Sequence, residues 1–121
     1  MTEKRKSNNN LFSSIIEGIK AKNGEGIISI NIKEIGTGVC DYFIICHGNS
    51  RTQVEAIANS VEDTVRISTG EKPWHIEGFE NAEWILLDYI DIVIHIFQSK
   101  ARNFYQLEKL WADGVIEYFD V

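Results

Sequence analysis

The segment that decides the fold is NAEWILLDYIDIVIHIF, residues Asn81 to Phe97, the most apolar stretch of the chain. It reads as two short strands, EWILLD and DIVIHIF. The few residues between them predict a tight turn, which makes the strands antiparallel neighbours. Asp88 and Asp91 bracket that turn. A buried carboxylate without a partner is costly, so both are expected at the end of the sheet, accepting hydrogen bonds from backbone N–H groups.

The tip of this turn is a candidate contact surface. Tyr89 and Ile90 stand between the two aspartates, although a turn requires neither an aromatic nor a β-branched residue. The pattern predicts that both side chains project outward. Exposed apolar patches are typical of interaction sites.

Three further strands are predicted from short runs of β-forming residues. IISINI alternates as a half-buried strand does, DYFIIC is a continuous apolar run typical of a central strand, and PWHIE is a short strand. The predicted crossover between DYFIIC and PWHIE contains a helix and is expected to be right-handed.

Three helices are predicted from apolar side chains at helical spacing. The first runs from Leu11 past Ile19, and the last carries ARNFYQLEKLW, with Phe104, Leu107, Leu110 and Trp111 expected in the core. The middle helix opens with a capping box of Ser50 and Gln53 and ends at Gly70. Its predicted buried stripe comprises Val54, Ile57, Ala58, Val61 and Val65.

This order of elements predicts one α/β domain, a five-stranded mixed sheet flanked by helices, over residues 11–112. Residues 1–10 are predicted to be a flexible polar N-terminus and residues 113–121 a C-terminal tail.

Composition limits the function. Of 121 residues, 44% are hydrophobic and the formal net charge is -6, which fits a globular domain and argues against generic binding along a nucleic-acid backbone. The charge is compatible with a basic protein partner. No run reaches the ~18 apolar residues of a membrane span, so a soluble, cytoplasmic protein is expected. Cys40 and Cys46 lack a ligand spacing, which favours buried thiols.

Two alternatives start from polar residues. A nucleotidyltransferase-like enzyme or nucleotide-binding protein would use HGNS at a helix start, with Asp88 and Asp91 as Mg²⁺ ligands. These aspartates lie across a turn instead of alternating along one strand. His47, His75 and His95 are too widely spaced to predict a metal site. His95 lies within an apolar strand and is expected to satisfy its ring nitrogens by local hydrogen bonds. We therefore predict neither a cofactor nor a metal.

Several long motifs resemble one family, the ribosomal silencing factors, also called the Iojap or YbeB-like family. They are DYFIICHGNSRTQVEAIANSVED, EGFENAEWILLDYIDIVIHIF and ARNFYQLEKLW, which lie between Asp41 and Trp111. The resemblance as a whole covers roughly Leu11 to Trp111. The resemblance implies a fold related to that of nucleotidyltransferases and a homodimer when free. It also implies a non-enzymatic translation repressor that binds the large ribosomal subunit and blocks joining of the small subunit. The contact would be ribosomal protein number fourteen of the large subunit, a basic protein on the intersubunit face.

The resemblance also implies which residues bind the partner. They are Trp84 of the WILLD strand, then Asp88, Tyr89 and Asp91 around the turn, and more weakly Glu77. Trp and Tyr are efficient interface anchors because they bury much area for little lost entropy. From the residues alone, Trp84 is equally compatible with a place in the core.

The chain departs from the family at one position of the turn. The family usually has Gly where this chain has Ile90, and Gly admits a positive φ that a β-branched residue resists. The substitution predicts a looser turn or a turn of another type. The segments before Leu11 and after Trp111 are expected to lie outside the family match.

Overall fold

The computed structural model describes residues 2–36 and 38–119 of the chain. This described part contains four α-helices, a six-stranded sheet and a short 3₁₀ turn at Lys33–Ile35. The helices are α1 (Thr2–Ala21), α2 (Arg51–Thr69), α3 (Ser99–Tyr105) and α4 (Leu107–Leu110). The strands are β1 (Glu25–Asn31), β2 (Tyr42–Gly48), β3 (His75–Glu77), β4 (Trp84–Asp88), β5 (Ile92–Gln98) and β6 (Val115–Tyr118).

The sheet is mixed, with the strand order β3-β4-β5-β2-β1-β6. Strands β2 and β5 at its centre are parallel, and the other neighbouring pairs are antiparallel. After β2, helix α2 carries the chain to the edge strand β3, and β4 then leads back to β5 beside β2. The predicted single α/β domain with a mixed sheet is confirmed, as is the antiparallel pairing of β4 with β5.

The predicted count of five strands is wrong, because the segment predicted as a tail contains β6. This strand pairs with β1 at the edge of the sheet. Ile116 is half-buried, whereas Val115 and Tyr118 are largely exposed. An edge strand with so few buried positions leaves no clear alternation in the sequence, and the periodicity that marks the other strands is missing here.

Helix α1 begins at Thr2 instead of Leu11. Among the helix residues whose side chains the structure describes, 10–21, the first buried one is Leu11, where the apolar periodicity also begins. Residues 2–10 are all polar in the sequence, and their backbone is helical. The flexibility predicted for this segment stays a prediction.

Helices α1 and α2 pack on one face of the sheet and bury its larger core. The Ser50 half of the predicted capping box is confirmed at the start of α2, where the Gln53 N–H donates to Ser50 Oγ at 3.1 Å, whereas the Gln53 side chain accepts the N–H of Asn49 instead of that of Ser50. Gly70 ends the helix in a left-handed conformation, as predicted, with φ of 78°. The buried stripe of α2 is also as predicted and comprises Val54, Ile57, Ala58, Val61 and Val65.

The opposite face of the sheet has a thinner cover, formed by α3 and α4. The single predicted helix is broken at Gln106, which adopts a left-handed φ of 48°. Leu107 is buried and Trp111 is half-buried against Phe43, as predicted for core residues. Phe104 and Leu110, expected in the core, are instead 80% and 75% exposed because the break turns them away from the sheet.

The β4–β5 turn keeps a tight, hydrogen-bonded geometry. The Ile90 N–H donates to Asp88 Oδ1 at 2.7 Å, and the Tyr89 N–H donates to the Ile92 carbonyl at 2.9 Å. Ile90 adopts a φ of 75°. The looser turn expected from the Ile90 side chain therefore does not form. The backbone keeps a conformation that suits glycine, and Ile90 is strained in it.

This strain makes Ile90→Gly a stabilising substitution. A left-handed β-branched residue costs ~1–2 kcal/mol, and the greater unfolded-state entropy of glycine offsets only part of the gain. We expect the free energy of unfolding to rise by about 1 kcal/mol, measured by urea denaturation. The matched control is Ile67→Gly, another exposed isoleucine but inside α2, which should destabilise by about 1 kcal/mol. Equal destabilisation by both substitutions would contradict the strain.

Candidate partner-binding site

Strands β3 and β4 bring five side chains to one face of the sheet, the face opposite α1 and α2. Side chains alternate along a strand, and paired residues on neighbouring strands share a face. Trp84, Leu86 and Asp88 therefore lie together, and the pairs Glu77–Leu86 and His75–Asp88 add Glu77 and His75. We call these five side chains the open face. It combines three residues predicted for partner binding: Trp84, Asp88 and Glu77.

The Trp84 side chain is neither fully buried in the core nor fully exposed. It is half-buried, with its ring centroid 4.8 Å from that of Phe97 and 5.0 Å from that of Tyr105 on α3. Its indole N–H donates to Nδ1 of His95 at 3.0 Å. The ring is thus held by neighbours on several sides and still keeps part of its surface for a partner. That combination is typical of an interface anchor.

His95 lies on the same face of the sheet as the open face, on β5, paired in register with Leu86. It is buried, and burial lowers the pKa of its imidazole from 6.5 to about 4, so the ring is neutral. Because Nδ1 accepts the indole proton of Trp84, the ring proton of the neutral form is on Nε2. Nε2 is buried and has no hydrogen-bond partner within the described ranges. The prediction that both ring nitrogens are satisfied locally is confirmed for Nδ1 only.

The acids of the site, two of which lie within the apolar stretch from Asn81 to Phe97, have different surroundings. Asp88 accepts the Ile90 N–H within the turn. Asp91 connects the turn to the start of β2 through its main chain, because its carbonyl accepts the N–H groups of Asp41 and Tyr42 at 2.8 and 3.1 Å. Both are half-buried at the end of the sheet, as predicted. Glu77 is more exposed and pairs with His75 at 3.0 Å.

Tyr89 does not project outward, and that prediction is wrong. Alternation along β4 places it on the same side as Ile85 and Leu87, within the core beneath α1 and α2, and only 5% of it is exposed. Burial, with smaller contributions from Glu62 and Glu71, raises the pKa of its hydroxyl. In this conformation Tyr89 offers no ring surface to a partner. Ile90 projects from the tip as predicted, 60% exposed.

Three residues of the site were missing from the sequence prediction. Leu86 could have been found, because it lies two positions after Trp84 and must share its face. His75 required the register between β3 and β4, which the sequence does not reveal. Tyr105 reaches Trp84 from α3, a contact that depends on how the helix is placed over the sheet.

The alternative sites find little support in the described residues. His47 contacts the Arg102 guanidinium at 2.9 Å, His75 pairs with Glu77, and His95 accepts from Trp84, so the three histidines have separate environments. Within residues 2–36 and 38–119, no three His, Cys, Asp or Glu side chains are grouped closely enough to hold a metal ion.

Two N–H groups at the start of α2 are engaged by local side chains. Gln53 Oε1 accepts the Asn49 N–H at 2.8 Å, and Ser50 accepts that of Gln53. This favours the structural interpretation of HGNS over an anion site. Of the two thiols predicted to be buried, Cys46 is buried and Cys40 is half-buried. Burial, with smaller contributions from Asp41 and Asp88, raises the pKa of Cys40 to about 11. No helix in the part of the chain that the structure describes combines the length and hydropathy needed to cross a bilayer.

Comparison with known proteins gives consistent matches along nearly the whole chain. The family model "Ribosomal silencing factor during starvation" matches residues 5–120, further at both ends than the expected span from Leu11 to Trp111. The ribosomal silencing factor RsfS of Bacillus subtilis is 41% identical over 99 residues, which cover 82% of each chain.

Two further matches extend the comparison. A crystal structure of a protein from Chromobacterium violaceum superimposes with a TM-score of 0.80 at 30% identity, covering 86% of this chain and 85% of that one. The mouse protein "Mitochondrial assembly of ribosomal large subunit protein 1" is 32% identical over 73 residues, which cover 59% of this chain and 32% of that protein. With a family model that matches residues 5–120 and relatives at this identity, the chain belongs to the ribosomal silencing factor family.

Proposed function

We propose that this protein is a translation repressor of the cytoplasm that binds the large ribosomal subunit through the open face and blocks its joining with the small subunit. The observation that carries the proposal is the half-buried Trp84, held by Phe97, Tyr105 and His95 on a thinly covered face of the sheet. Membership of the ribosomal silencing factor family supports the direction of the effect. The action is by occupancy, without catalysis.

The chemistry of the open face fits a basic protein partner. Trp84 and Leu86 supply an apolar centre, and Glu77 and Asp88 lie beside them as carboxylates. An apolar centre with a polar rim is the usual arrangement of an interface, and the acids would meet Lys and Arg side chains. The net charge of -6 adds a general attraction for a basic surface. We propose protein number fourteen of the large subunit as the contact.

The name of the mouse relative adds support for the large subunit as the target. That name refers to assembly of the mitochondrial ribosomal large subunit. The aligned part is a minority of the mouse protein, so the shared feature is this domain.

Sedimentation tests the proposal. We expect the protein to co-sediment with isolated large subunits, not with small ones, and to reduce the yield of joined ribosomes when both subunits are mixed. Equal sedimentation with small subunits, or no association with either subunit, would overturn the proposal. Large subunits stripped of their basic intersubunit-face protein provide the control for the proposed contact.

We also propose that the free protein is a homodimer. The central strands are apolar on both faces of the sheet, so both faces favour being covered by other elements or by a partner. On the face covered by α3 and α4, the side chains of Phe104, Tyr105 and Leu110 remain exposed. Light scattering at micromolar concentration should give about twice the 13.8 kDa mass of the chain. A monomer mass at that concentration would contradict the dimer.

A further inference from the structure

We propose that His95 is the positioning residue for Trp84 and that it determines what Trp84 can offer a partner. The inference rests on the proposed function, because it concerns the same open face. The hydrogen bond from the indole Nε1–H to His95 Nδ1 uses the indole donor inside the protein. A partner therefore meets Trp84 as an apolar and π surface, not as a hydrogen-bond donor.

The geometry makes His95 a rigid support. Its ring is 5% exposed and packs against Phe43, with centroids 5.1 Å apart at an interplanar angle of 67°. It also lies parallel to Phe97, with centroids 6.4 Å apart. A ring fixed by two aromatic neighbours holds its Nδ1 lone pair in one direction, and the indole must follow that direction to keep the bond.

Phe97 and Tyr105 then complete the placement of Trp84. Both rings contact the indole, but aromatic contacts alone allow the indole to turn over about its Cβ–Cγ bond. The two orientations differ in where the N–H points, and only one places it on His95. The hydrogen bond selects that orientation before any partner arrives, which reduces the ordering cost on binding.

The partner chemistry that this presentation suits is a cation or an aliphatic side chain laid on the indole. A Lys or Arg over an aromatic face is attracted by the ring quadrupole, and Glu77 and Asp88 on the same face would assist. Polar recognition through the indole nitrogen is excluded while the bond to His95 is intact.

The first test uses the free protein and needs no ribosome. In ¹⁵N-labelled protein, the Trp84 indole N–H, assigned through Trp84→Phe, should exchange with solvent more slowly than that of Trp74, which is 75% exposed. His95→Leu should remove the protection, whereas His95→Asn, of nearly the same size, keeps an acceptor close to the Nδ1 position and should retain part of it. An indole that exchanges as fast as Trp74 in the wild-type protein would overturn the proposal.

The second test measures binding to isolated large subunits. His95→Leu should bind about fivefold more weakly than His95→Asn, because a fivefold change in affinity is the typical contribution of one hydrogen bond. In a Trp84→Phe background the two substitutions should become equivalent, since no indole donor remains. A difference that persists in that background would show that His95 acts on packing and not through Trp84. If wild-type protein binds no large subunits, the proposed function fails, while the indole exchange still decides the positioning role.

Discussion

Trp84→Ala should weaken binding to large subunits by roughly 2 kcal/mol or more, which is about a 30-fold rise in the dissociation constant. The substitution removes the ring that the open face presents beside Leu86 and between Phe97 and Tyr105. Titration of large subunits with labelled protein measures the loss. Salt dependence should be largely unchanged, because the ring carries no charge.

The matched control for Trp84→Ala is Ile67→Ala. Ile67 is 80% exposed but belongs to α2, on the other side of the sheet, so its removal should leave binding unchanged. Since Trp84 is half-buried, unfolding of both variants must be measured beside binding. Wild-type affinity in a folded Trp84→Ala protein would place the interface elsewhere.

Acid should destabilise this protein through His95. The pKa of His95 is about 4 in the folded chain and 6.5 without burial, so the folded state favours the neutral ring. Above pH 6.5 the stabilisation is fully present, and it is lost as the pH falls towards 4 because the unfolded chain takes up the proton first. Between pH 7 and pH 5 we expect a loss of about 2 kcal/mol in the free energy of unfolding from this residue.

Urea denaturation at several pH values measures this loss. In His95→Asn, which does not titrate, the slope between pH 7 and pH 5 should be much flatter, whatever its stability at pH 7. His75→Asn is the matched control, because it removes a histidine that is not buried and leaves His95 in place, so the loss that His95 causes should remain. A wild-type slope in His95→Asn would mean that other groups carry the acid sensitivity.

Burial explains which parts of the fold could be predicted from the sequence. Strand β5 buries one continuous apolar run and helix α2 one helical stripe; both elements were predicted, α2 together with its buried residues. Strand β6 contributes mainly exposed side chains at the sheet edge, so its pattern is weak. The break at Gln106 is a non-glycine residue in a left-handed conformation, and no composition signal marks it.

The candidate site shows the same limit at the level of single side chains. Tyr89 was expected at the tip because it lies between two aspartates, but alternation counted from Trp84 assigns it to the helix side of the sheet. The alternation of side chains along the strand, and not proximity to the turn, decides to which face of the sheet Tyr89 points. The contacts of Trp84 with His95 and Tyr105 depend on register and helix placement, which a periodicity cannot supply.

The most direct measurement of the central claim is oxidative footprinting of side chains, with and without isolated large subunits. Bound subunits should protect Trp84, Leu86 and Tyr105, since these form and flank the open face. Ile67 on α2 should be oxidised at the same rate in both states. Protection confined to α2, with Trp84 and Tyr105 oxidised equally in both states, would contradict binding through the open face.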